Sequence, residues 1–287
     1  MAEFIPAKHD VVFKALFVYH HDILAAFLRD VLDLPVTVKS HIDVKNPEII
    51  PVYADGKTCR LDIHVETENR KFNVEMQSRA DGFSTERVLY YWSKMFIAEL
   101  ETGEKYELLE QTYSINVLGF KHFDCDEYHS SFSVLEDSRY QKLSDKLSIH
   151  IFELPKVPKK IDSNDQKQLW MHLIKANSEE ALEMLRATTS DPMIHKAIDA
   201  VYALNADAEL REKIRQRDKA VRDYANDMAV AKDKGRAEGL VEGEQKKAME
   251  TAVNLIQMGV LAPEQIAQAT GLPLETIQEL AAEKPTT

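Results

Sequence analysis

The chain has 287 residues, of which 44% are hydrophobic and 29% are charged, and its formal net charge is −12. This composition supplies enough apolar material for one or two ordinary cores and excludes wholesale disorder. No run approaches the roughly 18 uninterrupted apolar residues of a membrane span, and the first residues lack the apolar segment of a secretory signal. We therefore expect a soluble, cytoplasmic protein with no membrane partner.

Charge and cysteine content exclude further classes of protein. A surface that follows nucleic-acid phosphates over its whole extent normally carries a basic stripe, which a net charge of −12 does not favour. The net charge does not exclude nucleic-acid binding in a single cleft, because a metal site there would itself concentrate carboxylates. Cys59 and Cys125 lie far apart in the sequence, so a disulfide framework and a zinc ribbon are both excluded.

The first part of the chain predicts helices followed by a hairpin. Apolar residues recur at helical spacing over residues 10–32, with a break near residue 20. A turn-rich region with a strand at 36–44 follows. Residues 59–66 and 71–77 then alternate between apolar and polar side chains, and the short connection between these two runs is typical of a β-hairpin.

Further elements complete an α/β or α+β domain. A helix is predicted over residues 84–101, with Ser84 as its N-cap. Alternating segments at 113–120 and 147–154 predict two more strands. The lysine- and proline-rich segment at 155–160 then indicates the end of the domain.

The rest of the chain is predicted to be helical. Several short helices fill residues 163–206, a long charged stretch occupies 207–257, and two small helices lie on either side of Thr270 and Gly271. We therefore expect an α/β domain, a helical linker region and a helical assembly element, with bounds 1–156, 157–206 and 207–287.

The hairpin brings polar residues of its two strands together. A loop centred on Glu68 and Asn69 makes the apolar faces of the strands coincide. Directly opposed residues in such a ladder have Cβ atoms about 4.5–5.5 Å apart. The predicted opposed pairs are Asp62 with Glu75, His64 with Asn73, and Arg60 with Gln77.

The opposition of Asp62 and Glu75 is the feature most suggestive of chemistry. Two carboxylates that face each other across strands repel, and the arrangement persists when a cation, a proton or an arginine lies between them. A divalent metal suits it best, since Mg²⁺ prefers hard oxygen ligands. The alternative is a solvated strand face with Arg60 or Lys71 nearby.

This pair is part of a longer ordered set of motifs. Asp62, a twelve-residue gap and then Glu75-Met76-Gln77 resemble the core of the PD-(D/E)xK nuclease superfamily. More closely, the chain resembles the Rpn family of recombination-promoting nucleases, also labelled transposases, over nearly its whole length. The segments that carry the resemblance are Asp10-x-x-Phe13-Lys14, Leu61-Asp62-Ile63, Asn73-Val74-Glu75-Met76-Gln77, Arg87-x-x-Tyr90-Tyr91, Gly103-x-x-Tyr106, the strand at 114–120 and the glycine-rich helical tail.

The resemblance implies an α/β, restriction-endonuclease-like mixed sheet flanked by helices, followed by an all-helical C-terminal region. It also implies metal-dependent hydrolysis of phosphodiester bonds in DNA. Asp62 and Glu75 would coordinate Mg²⁺ or another divalent cation, whose charge activates a water molecule and stabilises the phosphate in the transition state. Gln77 stands where the superfamily usually has lysine, and an amide there can only orient the attacking water, which leaves the general base unnamed.

The opening helix offers a further metal ligand and a cation. Asp10 and Lys14 lie one helical turn apart and match the opening motif of the family. By analogy, Asp10 would add a ligand to the metal shell and Lys14 would contact the substrate. The alternative is a surface ion pair worth roughly a few tenths of a kcal/mol.

The helix after the hairpin offers a phosphate contact. Arg87 and Tyr91 share one face of this helix with Lys94. An arginine at this place could bind phosphate through two parallel hydrogen bonds, so Arg87 and Tyr91 are candidate substrate-binding residues. The alternative for Arg87 is an ion pair with Glu86 or with Asp81.

The helical tail predicts assembly. Gly235, Gly239 and Gly243 recur every four residues and align on one helix face, where each would cost about 1 kcal/mol relative to alanine. Close approach of a second helix would compensate, which suggests a homo-oligomer; a flexible hinge is the alternative. The final pair of helices has helix-turn-helix proportions, but its second helix lacks a basic residue before Lys284, so packing or dimerisation is favoured over reading of DNA bases.

Two functions follow from the sequence. The first is a Mg²⁺-dependent DNA endonuclease that acts on phosphodiester bonds, with a role in promoting recombination. The second is a nuclease-derived interaction module of weak or no catalytic activity, which associates with itself through the helical tail. The glutamine at position 77 and the acidic balance favour the second function, whereas the intact carboxylates Asp62 and Glu75 favour the first.

Overall fold

A computed structural model describes most of the chain in two compact units. The described residues are 3–34, 43–45, 48–49, 59–60, 63–67, 69–80, 82–98, 100, 103 and 105–282. The first unit comprises residues 1–212 and the second comprises residues 213–287.

The opening segment folds as two helices, α1 (Asp10–Tyr19) and α2 (His21–Leu32), bent by 103° at the break that the sequence predicted. The His9 imidazole caps α1 by accepting a hydrogen bond from the Val11 amide, and α2 ends at Asp33 in the left-handed conformation. Within the described part of the chain no single helix is long and apolar enough to cross a membrane, although this bent pair together reaches that length and composition.

A six-stranded mixed sheet forms the centre of the first unit, in agreement with the mixed sheet predicted from sequence. The described strands are β1 (Asp43–Lys45), β2 (Glu48–Ile49), β3 (Cys59–Arg60), β4 (Ile63–Glu66), β5 (Arg70–Gln77), β6 (Gln111–Leu118), β7 (His129–Phe132) and β8 (Leu147–Glu153). The spatial order of the sheet is β1-β4-β5-β6-β8-β7, in which β5, β6 and β8 run parallel and the other pairs are antiparallel. A separate two-stranded sheet pairs β2 with β3.

The hairpin register agrees with the prediction where it is described. His64 lies opposite Asn73 in the antiparallel β4–β5 ladder. Asp62, predicted to oppose Glu75, lies outside the described residues. The predicted strand at 59–66 contributes to two sheets, however. Arg60 belongs to β3 and pairs with Glu48, so it does not extend the ladder toward Gln77 as predicted.

Helix α3 (Thr85–Ile97) covers one face of the central strands. Its N-cap is Ser84, as predicted, whose hydroxyl accepts a hydrogen bond from the Arg87 amide at 3.1 Å. Buried Val88 packs with Leu118 and with two isoleucines of β8. The indole of Trp92 donates to the Thr112 carbonyl at 2.9 Å, which fixes the helix to β6.

Three helices beyond residue 156 share the core of the first unit, namely α4 (Gln166–Lys175), α5 (Glu179–Thr188) and α6 (Pro192–Ala206). Trp170 is fully buried, and its indole donates to the Asp30 carboxylate at 2.8 Å. Its ring meets Phe27 edge-on, with 5.6 Å between ring centroids. Helices α4 and α6 therefore pack on α2, and α5 packs on α4 and α6. The three-part division at residues 156 and 206 stays a prediction.

The second unit is helical, as predicted. It contains most of α7 (Ala208–Met258), followed by α8 (Pro263–Thr270) and α9 (Leu274–Ala282). Ala252, Ile266 and Ile277 form its small core, so the last two helices pack on the end of α7. In the described structure no atom beyond the local helix backbone lies within 4 Å of a Cβ built on any of the three helical glycines of α7. Self-association through these glycines therefore stays a prediction.

Candidate active site

The candidate site lies where the polar faces of β5 and β6 meet the start of α3. Because β5 and β6 are parallel, their carboxyl ends reach the same edge of the sheet, which is where open α/β sheets bind ligands. Glu75 lies beside Asn116 in this ladder, and Asn73 lies beside Ser114. Period-two geometry points all four side chains to the face that α3 covers.

Glu75 carries a buried carboxylate with two described polar neighbours. The residue is 8% exposed to solvent. Its Oε1 accepts a hydrogen bond from the Asn73 side-chain amide at 3.1 Å. Its Oε2 lies 3.9 Å from Nη2 of Arg87 on α3. A carboxylate taken this far out of water requires positive charge or hydrogen bonds near it, and both are present.

Asn73 has one side-chain atom that the described protein does not satisfy. Its amide group donates to Glu75, but its buried Oδ1 has no hydrogen-bond partner among the described residues. The residue is 1% exposed. Leaving such an acceptor unpaired costs about 1–3 kcal/mol, so this oxygen is available to a bound cation or water. The neighbouring Asn116 amide donates to the Ser114 hydroxyl at 3.1 Å and is thereby oriented.

Arg87 is held at three points around the site. Its Nη1 donates to the Gly82 carbonyl at 3.2 Å, and its guanidinium carbon lies 5.0 Å from the centroid of the Tyr91 ring. Its third contact is Glu75. Of the two partners that the sequence left as alternatives, Asp81 lies outside the described residues. The Arg87 side chain is 39% exposed, so the cation can reach both the buried carboxylate and a ligand in solvent.

Gln77 ends β5 at the mouth of the site. Its side-chain amide donates to the Arg79 carbonyl at 3.2 Å. Its own carbonyl accepts a hydrogen bond from the Gly119 amide at 2.8 Å, which ties the ends of β5 and β6 together. A Cβ on Gly119 would lie 2.9 Å from the Ser78 carbonyl oxygen, so the close approach of these strand ends requires glycine.

These residues surround a narrow cleft that is open to solvent and has room for about one water molecule. The cleft brings together four residues predicted from sequence, namely Glu75, Gln77, Arg87 and Tyr91. It also contains Ser84, which was predicted only as an N-cap, and Asn73, Ser114 and Asn116, to which the sequence analysis gave no role. For Asn73 the signal was available in the spacing, since it lies two residues before Glu75 and so on the same strand face. For Ser114 and Asn116 it required the register of β6 against β5.

Asp10 and Lys14 belong to α1 and are not among the described residues that line the cleft. Asp10 lies in the first turn of the helix, where its Oδ1 accepts a hydrogen bond from the Val11 amide at 2.9 Å and lies 3.2 Å from the His9 imidazole. The Ser78 hydroxyl donates to the Lys8 carbonyl at 3.0 Å. This contact places the start of α1 beside the end of β5, on which Gln77 lies.

The donor set fits a hard divalent cation. The Glu75 carboxylate, the unpaired Asn73 oxygen and the Gln77 amide oxygen are oxygen donors, which Mg²⁺ and Ca²⁺ prefer. Within the described parts of the chain no three His, Cys, Asp or Glu side chains come together as a complete metal cluster. Asp62, the second predicted carboxylate ligand, lies outside those parts.

A second polar cluster lies between β7 and β8. The imidazoles of His129 and His150 stack, with 3.0 Å between Nε2 of His129 and Nδ1 of His150. The other ring nitrogen of His150 lies 2.9 Å from the Ser148 hydroxyl. Burial is the main cause that lowers the pKa of each histidine from 6.5 to about 4, and the Lys167 ammonium contributes to both shifts. Both imidazoles are therefore neutral at pH 7.

Comparison with known proteins agrees with the resemblance inferred from sequence. A family model described as PD-(D/E)XK nuclease family transposase matches residues 7–231. No curated protein and no solved structure matches the chain. The matched segment contains the whole mixed sheet, the cleft and the helices that pack on it. Since the match covers most of the chain, this protein belongs to the PD-(D/E)XK nuclease family of transposases.

Proposed function

We propose that this protein is a metal-dependent DNA endonuclease whose active site is the cleft between β5, β6 and α3. The observation that carries the proposal is the buried Glu75 carboxylate in this cleft, with the unpaired Asn73 oxygen on one side and the Arg87 cation on the other. A site that buries an anion and an unsatisfied acceptor together is poorly suited to stability alone, and both groups are suited to cation binding.

In this proposal the metal ligands are Glu75 and Asp62, with Asp10 as an additional ligand. Mg²⁺, or another divalent cation in its place, supplies the positive charge that makes water a better nucleophile and offsets the charge of the phosphate in the transition state. Asn73 holds the Glu75 carboxylate in one orientation through its hydrogen bond to Oε1. That fixed orientation decides which oxygen of Glu75 faces the cleft.

The remaining cleft residues position the reactants. Gln77 orients the attacking water through its amide, since it can donate and accept hydrogen bonds but cannot take up a proton at neutral pH. Arg87 binds a phosphate through parallel hydrogen bonds, which its planar guanidinium favours. The Tyr91 ring packs against Arg87, with 5.0 Å between the ring centroid and the guanidinium carbon, and so helps to position the guanidinium. Lys14 of α1 contacts the DNA backbone.

Cleavage of supercoiled plasmid tests this assignment. Wild-type protein should nick or cut plasmid in the presence of Mg²⁺, and EDTA should abolish the reaction. Glu75→Gln and Asp62→Asn should each lower the rate by about 10²-fold or more, as the loss of a group that stabilises the transition state does. Glu86→Gln is the matched control, because Glu86 is an exposed carboxylate at the start of α3 and is not among the described residues that line the cleft.

The possible results separate the proposal from its rival. Cleavage that survives Glu75→Gln and Asp62→Asn, with circular dichroism unchanged, would exclude this cleft as the active site. No cleavage by the folded wild type with Mg²⁺, Mn²⁺, Co²⁺ or Ca²⁺ would favour the self-associating interaction module instead. The role in recombination and the homo-oligomer through α7–α9 are part of the proposal as well, and sedimentation of the full chain measures the latter.

A further inference from the structure

We propose that Arg87 acts as a stand-in cation for Glu75 and that it leaves this position when DNA binds, so that DNA and the divalent metal bind cooperatively. This inference rests on the proposed function, because it concerns the same cleft. It adds an order of binding to the proposed function. Without DNA, the Arg87 guanidinium is the cation beside Glu75, and when DNA draws Arg87 away, a divalent metal can bind at Glu75 instead.

Unequal burial of the two groups decides which of them can move. The Glu75 side chain is 10% exposed and lies on a central strand, whereas the Arg87 side chain is 39% exposed and lies on the first turn of α3. The Asn73 hydrogen bond also fixes the carboxylate. Arg87 can therefore swing toward solvent without disturbing the sheet, while Glu75 cannot follow it.

The contact between the two groups is one of charge rather than of a formed hydrogen bond. Their nearest atoms, Nη2 and Oε2, lie 3.9 Å apart, whereas N–H···O hydrogen bonds are about 2.7–3.2 Å long. The guanidinium keeps its hydrogen bond to the Gly82 carbonyl and its position over the Tyr91 ring independently of Glu75. The contact with Glu75 itself therefore contains no hydrogen bond that must break. A full swing toward solvent gives up the hydrogen bond to Gly82, which hydrogen bonds to a DNA phosphate would replace.

A divalent cation on Glu75 would place two positive groups within a few ångströms of each other. Their repulsion lowers the metal affinity while Arg87 stays in place. A DNA phosphate offers Arg87 an alternative partner with two acceptor oxygens, which draws the guanidinium away from the carboxylate. By linkage, DNA then raises the affinity for metal, and metal raises the affinity for DNA by the same factor.

The test is calorimetric titration of the DNA-free full chain with Mg²⁺ and with Mn²⁺. Arg87→Met should bind metal roughly tenfold more tightly than the wild type, a factor within the usual range of coupling between sites. Arg87→Lys, which retains the positive charge, should bind metal with about the wild-type affinity. Lys94→Met is the matched control, because Lys94 lies two turns further along the same helix, about 10 Å away. Its affinity should stay within about twofold of the wild type, since charges at that distance are largely screened at physiological salt.

A second measurement follows the reciprocal effect. Fluorescence anisotropy with a labelled DNA duplex and Ca²⁺ as the probe cation should show that DNA binding tightens with metal in the wild type, and tightens at least about threefold less in Arg87→Met. An unchanged or weaker metal affinity of Arg87→Met, with the fold intact by circular dichroism, would overturn the stand-in role. If wild type and Glu75→Gln bind metal equally in the titration, the proposed function itself fails, and this inference fails with it.

Discussion

Lowering the pH should destabilise the first unit through the histidine pair of β7 and β8. His129 and His150 are half-buried, stacked and neutral, and a proton on either ring would place a positive charge beside the other ring and the Lys167 ammonium. The carboxylates of Asp33 and Asp165 oppose these effects but are outweighed by burial. As the pH falls, we therefore expect protonation of this pair to destabilise the first unit before the rest of the sheet is affected.

The sign and the size of the effect follow from the two protonation equilibria. The pKa of His150 is about 4 in the folded protein and 6.5 when the residue is unfolded, so the unfolded chain takes up the proton first as the pH falls. The stabilising contribution is complete above pH 6.5 and is lost as the pH falls from there toward 4. A pKa that falls from 6.5 to about 4 on folding corresponds to about 3 kcal/mol for His150. The losses at the two histidines do not add fully, because the charge of His129 is one cause of the shift at His150.

Urea denaturation of wild type and His150→Gln at a series of pH values between 7.5 and 4 measures this effect. The variant should be less stable than the wild type at pH 7.5, because it loses imidazole packing. Between pH 6.5 and 4 it should lose about 3 kcal/mol less than the wild type does. His21→Gln, which replaces an exposed histidine of α2, should follow the wild-type curve. Parallel curves for wild type and His150→Gln over this range would refute the reasoning.

Other predictions concern single positions and are measured by the same denaturation at pH 7.5. Gly119→Ala should destabilise the fold by about 1–3 kcal/mol, because the added methyl group would lie 2.9 Å from the Ser78 carbonyl oxygen; an unchanged midpoint would contradict this packing. Gly239→Ala should stabilise α7 by about 0.5–1 kcal/mol, since the position is open on an exposed helix, and a loss of stability would point to a contact in solution. Trp170→Phe should cost about 1–3 kcal/mol through the lost hydrogen bond to Asp30, whereas a cost near zero would mean that water replaces the indole.

Periodic patterns predicted the elements well. The alternation of apolar residues predicted the β4–β5 hairpin and its register, because a slip by one residue would have moved Ile63 and Val65 out of the core. Helical spacing predicted α1 and α2 together with the break between them. Ser84 was recognisable as an N-cap because a hydroxyl at that place accepts a hydrogen bond from a free helical amide.

Long-range packing is what sequence patterns could not supply. A solvated face was left open from sequence as the alternative for the polar residues of β5. Lys71 is in fact 2% exposed and Asn73 is 1% exposed, because elements distant in sequence cover them. The hydrogen bond of Trp170 with Asp30 joins positions 140 residues apart, and no local sequence pattern at either position predicts it. The partner of Arg87 was missed for the same reason, since Glu75 becomes its neighbour only when α3 lies across β5.

The covered polar row also bears on how this chain can change in evolution. Folding alone would favour apolar residues in place of Asn73, Glu75, Ser114 and Asn116, since buried polar groups add little to stability and are frequently improved upon by well-packed hydrophobic residues. A homologous protein that no longer needs the proposed activity should therefore accumulate apolar substitutions in this row and have a more stable sheet. Under the proposed function, loss of activity is therefore the easier direction of mutational change, because apolar substitutions in this row would stabilise the sheet.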